Sequence, residues 1–168
     1  TRSGLNKYDG YKFTIYTHNK NDPNSINNNW ILGGIHQDSK GNLWIGTWGK
    51  GLNILDRRTS QVDHYTSEST GKFHIPQNHV HVIFEDGKSR IWLGTRNGIS
   101  VLDKRQQRFI PVQEYFNDKD ITYFNNNRVY CIIEDAEGEI WTGTGNGIYV
   151  LDPEAKRVRI IREDIESP

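Results

Sequence analysis

Short apolar runs, each set off by Asp, Gly, Asn or Ser, follow one another along the chain in a fixed order. The clearest landmark occurs three times, as Gly41-Asn42-Leu43-Trp44-Ile45-Gly46-Thr47, Ser89-Arg90-Ile91-Trp92-Leu93-Gly94-Thr95 and Gly138-Glu139-Ile140-Trp141-Thr142-Gly143-Thr144, with the Trp residues 48 and 49 positions apart. Other positions keep step. Asn29, Asn78 and Asn127 are each followed two residues later by Ile31, Val80 or Val129, and Asp38, Asp86 and Asp135 each precede their Trp by six. Gly51, Gly98 and Gly147 each open an apolar run that ends in Asp, and Gly4-Leu5-Asn6-Lys7-Tyr8-Asp9 is a fourth copy at the start. A period of this size with several short strands per unit marks propeller blades rather than helical solenoids.

Each unit reads as four strands, a to d from the ring centre outward. Strand a, Val80-His81-Val82-Ile83-Phe84 or Val129-Tyr130-Cys131-Ile132-Ile133, is apolar at both parities, as expected of a strand covered on both sheet faces. Strand b carries the Trp and strand c the Gly-to-Asp run. Strand d comprises residues 13–16, 62–65, 109–112 and 158–161, and Pro111, which cannot donate to a ladder, marks it as the outer edge. The a-to-b and c-to-d turns begin with Asp, whose side chain bonds nearby amides. The d-to-a loops, Thr17 to Asn28, Thr66 to Gln77 and Gln113 to Asn126, are long and varied, and loops of this length are more often functional than ornamental. The first unit has one extra residue near Gly33-Gly34, which predicts a bulge in its strand a, and one more in the Trp48-Gly49-Lys50 segment of its b-to-c loop.

The expected architecture is therefore an all-β propeller fragment of about three and a half four-stranded blades, part of a ring of about seven, with almost no helix. The layout is outer strands of a preceding blade at 1–17, then blades at 18–66, 67–113 and 114–168. Lys plus Arg and Asp plus Glu are 21 each, so net charge favours neither nucleic acid nor a membrane surface. No run of eighteen apolar residues and no signal peptide is present. The chain has no Met and starts at Thr1, so it is expected to derive from a longer polypeptide. Cys131, the single cysteine, excludes an intrachain disulfide.

With Ile75, Asn78, Val80, Ile83, Asp86, Ile91, Trp92, Gly94, Thr95, Gly98, Ile99 and Asp103 in place, the unit resembles the two-component regulator propeller repeat. Thr142, where an aliphatic residue is usual, is a mild departure. The resemblance spans Gly4 to about Ile161. It implies a periplasmic sensor ectodomain of a bacterial hybrid two-component regulator, feeding a histidine kinase across the membrane and reading extracellular solutes, often polysaccharide fragments. It supplies no catalytic motif and no cofactor.

Candidate chemistry gathers on the long-loop face. Trp30 and Trp48 lie outside the recurring Trp position, and an indole stacks well on the apolar face of a sugar ring; the alternative is that both pack against neighbouring loops. His79 and Arg128 occupy the positions equivalent to Trp30, and Lys50 and Arg96 come from b-to-c loops. Together these suit an acidic or hydroxyl-rich oligosaccharide, or form a solvated rim. Asn29, Asn78 and Asn127 are expected to pin loop ends. His74, His79 and His81 invite a metal, but no carboxylate or thiol stands at a motif spacing, and none is expected. The competing functions are a glycan lyase using His79, Arg128 and Glu85, and a protein-interaction platform. Open terminal faces predict self-association, and the remaining partners are further blades and a kinase.

Overall fold

The computed structural model describes residues 1–31, 34–116 and 127–161. It is almost entirely antiparallel sheet. A two-stranded unit, β1 (Leu5–Tyr8) and β2 (Phe13–Tyr16), precedes three four-stranded meanders, each a propeller blade. The first is β3 (Ile35–Gln37), β4 (Leu43–Thr47), β5 (Gly51–Leu55) and β6 (Val62–Tyr65). The second is β7 (Val80–Glu85), β8 (Ile91–Thr95), β9 (Gly98–Asp103) and β10 (Arg108–Pro111). The third is β11 (Val129–Glu134), β12 (Ile140–Thr144), β13 (Gly147–Asp152) and β14 (Arg157–Ile161). Pro111 ends an edge strand, and the one helix among the described residues, α1 (Val112–Phe116), begins immediately after it in a d-to-a connection. Strand d of this blade therefore stops one residue short of the Val112 expected from the sequence.

The recurring Asp and Trp turn out to be one device. In each blade the Asp Oδ1 accepts turn amides, Lys40 and Asn42 at Asp38 for example, while Oδ2 accepts the indole N–H of the Trp six residues on: Trp44 to Asp38 at 2.8 Å, Trp92 to Asp86 at 2.8 Å and Trp141 to Asp135 at 2.6 Å. The sequence suggested only the turn cap. All four c-to-d turns repeat a second cap, in which Asp9, Asp56, Asp103 and Asp152 accept the amides two and three residues ahead. Gly51 opens its strand in the left-handed region, φ +85°, and a Cβ there would lie 2.2 Å from the Tyr65 carbonyl oxygen, so its side-chain hydrogen is dictated twice over.

Apolar residues meet between blades in three clusters. Trp44 joins Val80, Leu93 and Phe109 at the junction of the first and second blades. Trp92 joins Val129, Ile140 and Leu151 at the next junction, and Leu5, Ile26, Ile31 and Ile45 tie the two-stranded unit to the first blade. The repeat predicts that Trp44, Trp92 and Trp141 are all largely buried between blades; Trp44 and Trp92 are, at 5% and 0% exposure, whereas Trp141 is only half-buried because no further blade lies against it among the described residues. Polar staples cross the same junctions. Glu85 reaches back to the Ser39 amide and hydroxyl of the first blade, and Glu134 to the Gly87 amide of the second.

Bulges occur where the sequence did not point to them, between Val80 and Val82 and between Val129 and Cys131. The bulge expected near Gly33-Gly34 falls partly outside the described residues. So does most of the Gln113 to Asn126 loop.

Candidate functional site

On the long-loop face, the residue that leads into each strand a is clasped by the b-to-c loop of its own blade. Trp48, Arg96 and Gly145 donate their amides to the carbonyls of Trp30, His79 and Arg128, at 3.0, 3.2 and 3.1 Å. This recurring bond brings Trp48 beside Trp30, and the two indoles stack with centroids 5.4 Å apart and planes 24° from parallel. The extra residue in the b-to-c loop of the first blade thus presents an indole against an indole.

Asn side chains fix the pair. Asn28 Nδ2 donates to the Trp48 carbonyl at 2.8 Å, and Asn28 Oδ1 accepts the Trp30 amide at 3.1 Å. Asn27 bonds Thr47 and Asn53 and also donates to the Lys50 carbonyl. Asn29 and Asn78 accept the amides of His18 and Ser67 across their loops, at 2.6 and 2.8 Å, and Asn127 donates to Thr144 Oγ1 at 2.9 Å. The guanidinium carbon of Arg2 lies 4.9 Å above the Trp30 ring.

From the second blade, His79 packs edge-on to Trp48 with centroids 4.9 Å apart, and its ring and amide both meet Gln77 Oε1. Gly49 lies against that imidazole in the left-handed region, φ +73°, so the backbone and not lack of space favours glycine there. His81 follows, 6.4 Å from Trp48 between centroids, and its Nε2 is buried without a hydrogen-bond partner. Burial first, then the charges of Arg128, His79 and Arg96, hold the His81 imidazole below its ordinary pKa, so it stays neutral at pH 7. Arg96 and Arg128, with Asn97 and Tyr130, line an open cavity of about 410 Å³, and Arg128 lies 5.9 Å from the Tyr130 ring centre.

Of the six residues singled out from the sequence, Trp30, Trp48 and His79 make one contact group and Arg96 and Arg128 a second, with His81 between them. Lys50 is exposed and touches the group only through its backbone. Arg2, Gln77 and Tyr130 were not anticipated as part of this surface, and His81 was weighed only as a metal ligand; His81 and Tyr130 both sit at the bulge of their strand a. Glu85 ends the strand near whose start His79 lies, and it is committed to Ser39, so it does not join His79 and Arg128. Among the described residues no three His, Cys, Asp or Glu converge as a metal would require.

Residues 25–49, 74–97 and 123–146 match the family profile described as two component regulator propeller, one match per blade. These are two-component regulator propeller repeats. The chain is 38% identical over 119 residues, 68% of its length, to histidine kinase P4 of Formosa agariphila, of which the match spans 8%. Its fold is that of the extracellular domain of a hybrid two-component system of B. thetaiotaomicron, with a TM-score of 0.75 at 24% identity over 94% of the chain and 20% of that domain. It also resembles virginiamycin B lyase from Staphylococcus aureus, with a TM-score of 0.58 at 17% identity over 81% of the chain and 43% of the lyase. The chain spans a small part of the sensor proteins it matches, and the resemblance to the lyase is one of fold.

Proposed function

We propose that this propeller segment belongs to the extracytoplasmic, periplasmic sensor of a two-component receptor, that its long-loop face recognises a polysaccharide-derived ligand, and that occupancy is passed to a histidine kinase. The observation that carries the ligand reading is the stacked Trp30 and Trp48 pair beside His79, with Arg96 and Arg128 on the same face. An indole platform covers the apolar face of a pyranose, and forked guanidinium donors pair with carboxylate, sulfate or hydroxyl groups. The segment acts by binding, without turnover. The lyase alternative loses its acid, because Glu85 is at the far end of β7 from His79.

Titration with acidic oligosaccharides is expected to shift tryptophan fluorescence in the receptor ectodomain, and Trp48→Ala to weaken the apparent affinity about ten-fold or more while the circular dichroism spectrum is retained. A ligand that binds Trp48→Ala as well as it binds the parent rejects this face as the site.

The end faces bear on partners. Tyr8, Phe13 and Ile15 on the two-stranded unit are exposed, as are Tyr130, Ile133 and Ile148 on the third blade. In the receptor these faces take further blades. Alone in solution the chain is expected to associate through them, so light scattering should give a mass that rises above 19.5 kDa with concentration. A concentration-independent monomer mass contradicts that.

A further inference from the structure

The opposite, short-turn face carries a second feature, visible by comparing the two inter-blade junctions. At the second junction, Arg90 crosses the indole of Trp92 with its guanidinium carbon 5.9 Å from the ring centre. Its Nε donates to Asp86 Oδ2 at 2.5 Å and its Nη1 to Glu154 Oε1 of the third blade at 2.9 Å. Tyr115 of α1 closes the ring edge, with centroids 5.8 Å apart. The junction is stapled by its own cation.

At the first junction the residue in the place of Arg90 is Asn42. Its amide reaches Asp38 Oδ2 at 2.9 Å and stops there. A cleft of about 450 Å³ lies between these blades and reaches Trp44, Asp63, Tyr65 and Glu85; the second junction has one of about 460 Å³, but Arg90 and Glu154 line it and Trp92 does not. The strand-d wall changes chemistry too. Asp63 stands opposite Ile54 as Ile110 stands opposite Val101, so a buried Ile in one junction is a carboxylate in the other. Two residues on, Tyr65 stands where the second blade has Val112, the first residue of α1.

The Tyr65 ring is buried, at 5% exposure, and its hydroxyl, which makes no hydrogen bond to a described residue, opens on the cleft. Asp63 is exposed, and its carboxylate has neither a hydrogen bond nor an ion pair among the described residues. A phenol oxygen that meets a cleft and not a protein group is open to a donor from a ligand. Burial, and then the Asp63 charge, push this phenol up to about 12, so it is a neutral donor and acceptor at physiological pH. Of the two lysines on the walls, Lys104 donates its Nζ to the Ser89 carbonyl, and neither Lys104 nor Lys40 forms an ion pair with Asp63.

We propose that this cleft is a receptor site for a guanidinium group, carried by an arginine side chain of a binding partner and entering where Arg90 lies in the next junction. The guanidinium spans the Asp63 carboxylate and the Tyr65 hydroxyl oxygen and lies against the Trp44 indole. Its planar fork supplies donors to both acceptors at once, which an ammonium does less well. The occupant is a protein segment approaching the short-turn face, independent of any sugar on the opposite face.

The test follows the Trp44 indole N–H by NMR during titration of the chain with N-acetyl-arginine amide and, separately, N-acetyl-lysine amide. The arginine probe is expected to give a saturable shift, and the lysine probe a several-fold weaker one. Asp63→Asn, an exposed position, should weaken the arginine probe about ten-fold. Asn42→Arg should abolish the response by placing a guanidinium over Trp44 from within, held by Asp38 and without the second counter-charge that Glu154 gives Arg90, since Arg105 stands in that place. No saturable shift in the parent chain, equal response to the two probes, or undiminished binding in a folded Asn42→Arg variant would overturn the proposal. An arginine peptide that binds while N-acetyl-arginine amide does so only weakly, with the same variant dependence, supports a protein as the source of the group.

Discussion

Trp92→Ala is expected to lower the unfolding free energy by about 3–5 kcal/mol, the range for deleting a fully buried aromatic side chain. Trp92 is fully buried, donates to Asp86, and packs in the cluster that joins the second and third blades. Its loss opens a cavity at a junction, and in a repeat array the junctions carry much of the cooperativity. A drop in melting temperature of about 10 °C or more is expected for a domain of this size. Trp141→Ala is the internal control: the ring is half-buried, so its truncation should cost clearly less. Urea unfolding followed by circular dichroism measures both. Equal losses for the two variants would mean that the junction contributes little beyond the indole–Asp bond, which both share.

Removing Asp86 is expected to be comparably severe. It is 4% exposed and its carboxylate accepts the amides of Lys88 and Arg90, the Arg90 Nε and the Trp92 indole. Asp86→Ala leaves a buried indole N–H without an acceptor and a guanidinium with one counter-charge fewer, at a cost of about 3–5 kcal/mol. The same group makes stability depend on pH. Burial works to raise the Asp86 carboxyl, but the Trp92 and Arg90 hydrogen bonds and the Arg90 charge outweigh it, so the group lies below its ordinary value. Asp38 lies low for a similar reason, burial being outweighed by Trp44 and Asn42. A carboxyl depressed in the folded state stabilises fully above its unfolded pKa, near 4, and that stabilisation is lost as pH falls through the lower, folded value. Urea midpoints should therefore hold from pH 7 to about 5 and fall steeply below about 4. The fall should be shallower in Asp86→Asn, which no longer titrates at that position. An unchanged acid profile in that variant would assign the acid sensitivity to other carboxylates.

The blade repeat was legible in the chain because its determinants are local. An Asp cap acts over two to four residues, the Asp and Trp are six apart in one hairpin, and strand alternation is read within a single run, so the period, the strands and both turn classes follow from residue types alone. Even there, the acceptor of the indole N–H was hidden. The spacing of Asp86 and Trp92 is visible in the sequence, but only the antiparallel pairing of β7 with β8 turns the side chains toward each other. The short helix after Pro111 was equally out of reach, since it rests on packing of Val112 and Phe116 into the second junction.

The candidate sites depended on tertiary structure much more heavily. Trp30 and Trp48 drew attention by breaking the repeat, yet nothing local specified that their rings stack or that His79 from the next blade closes on them. The Glu85 staple to Ser39 joins residues 46 positions apart, and the cleft of the first junction reaches Trp44, Asp63 and Tyr65, whereas that of the second is lined by Arg90 and Glu154. Sequence alone determined that blades form and where their turns fall, because those free energies are local to one hairpin. What only the tertiary structure decided is which side chains of adjacent blades confront each other, because that is set by the angle and register at which separate sheets pack.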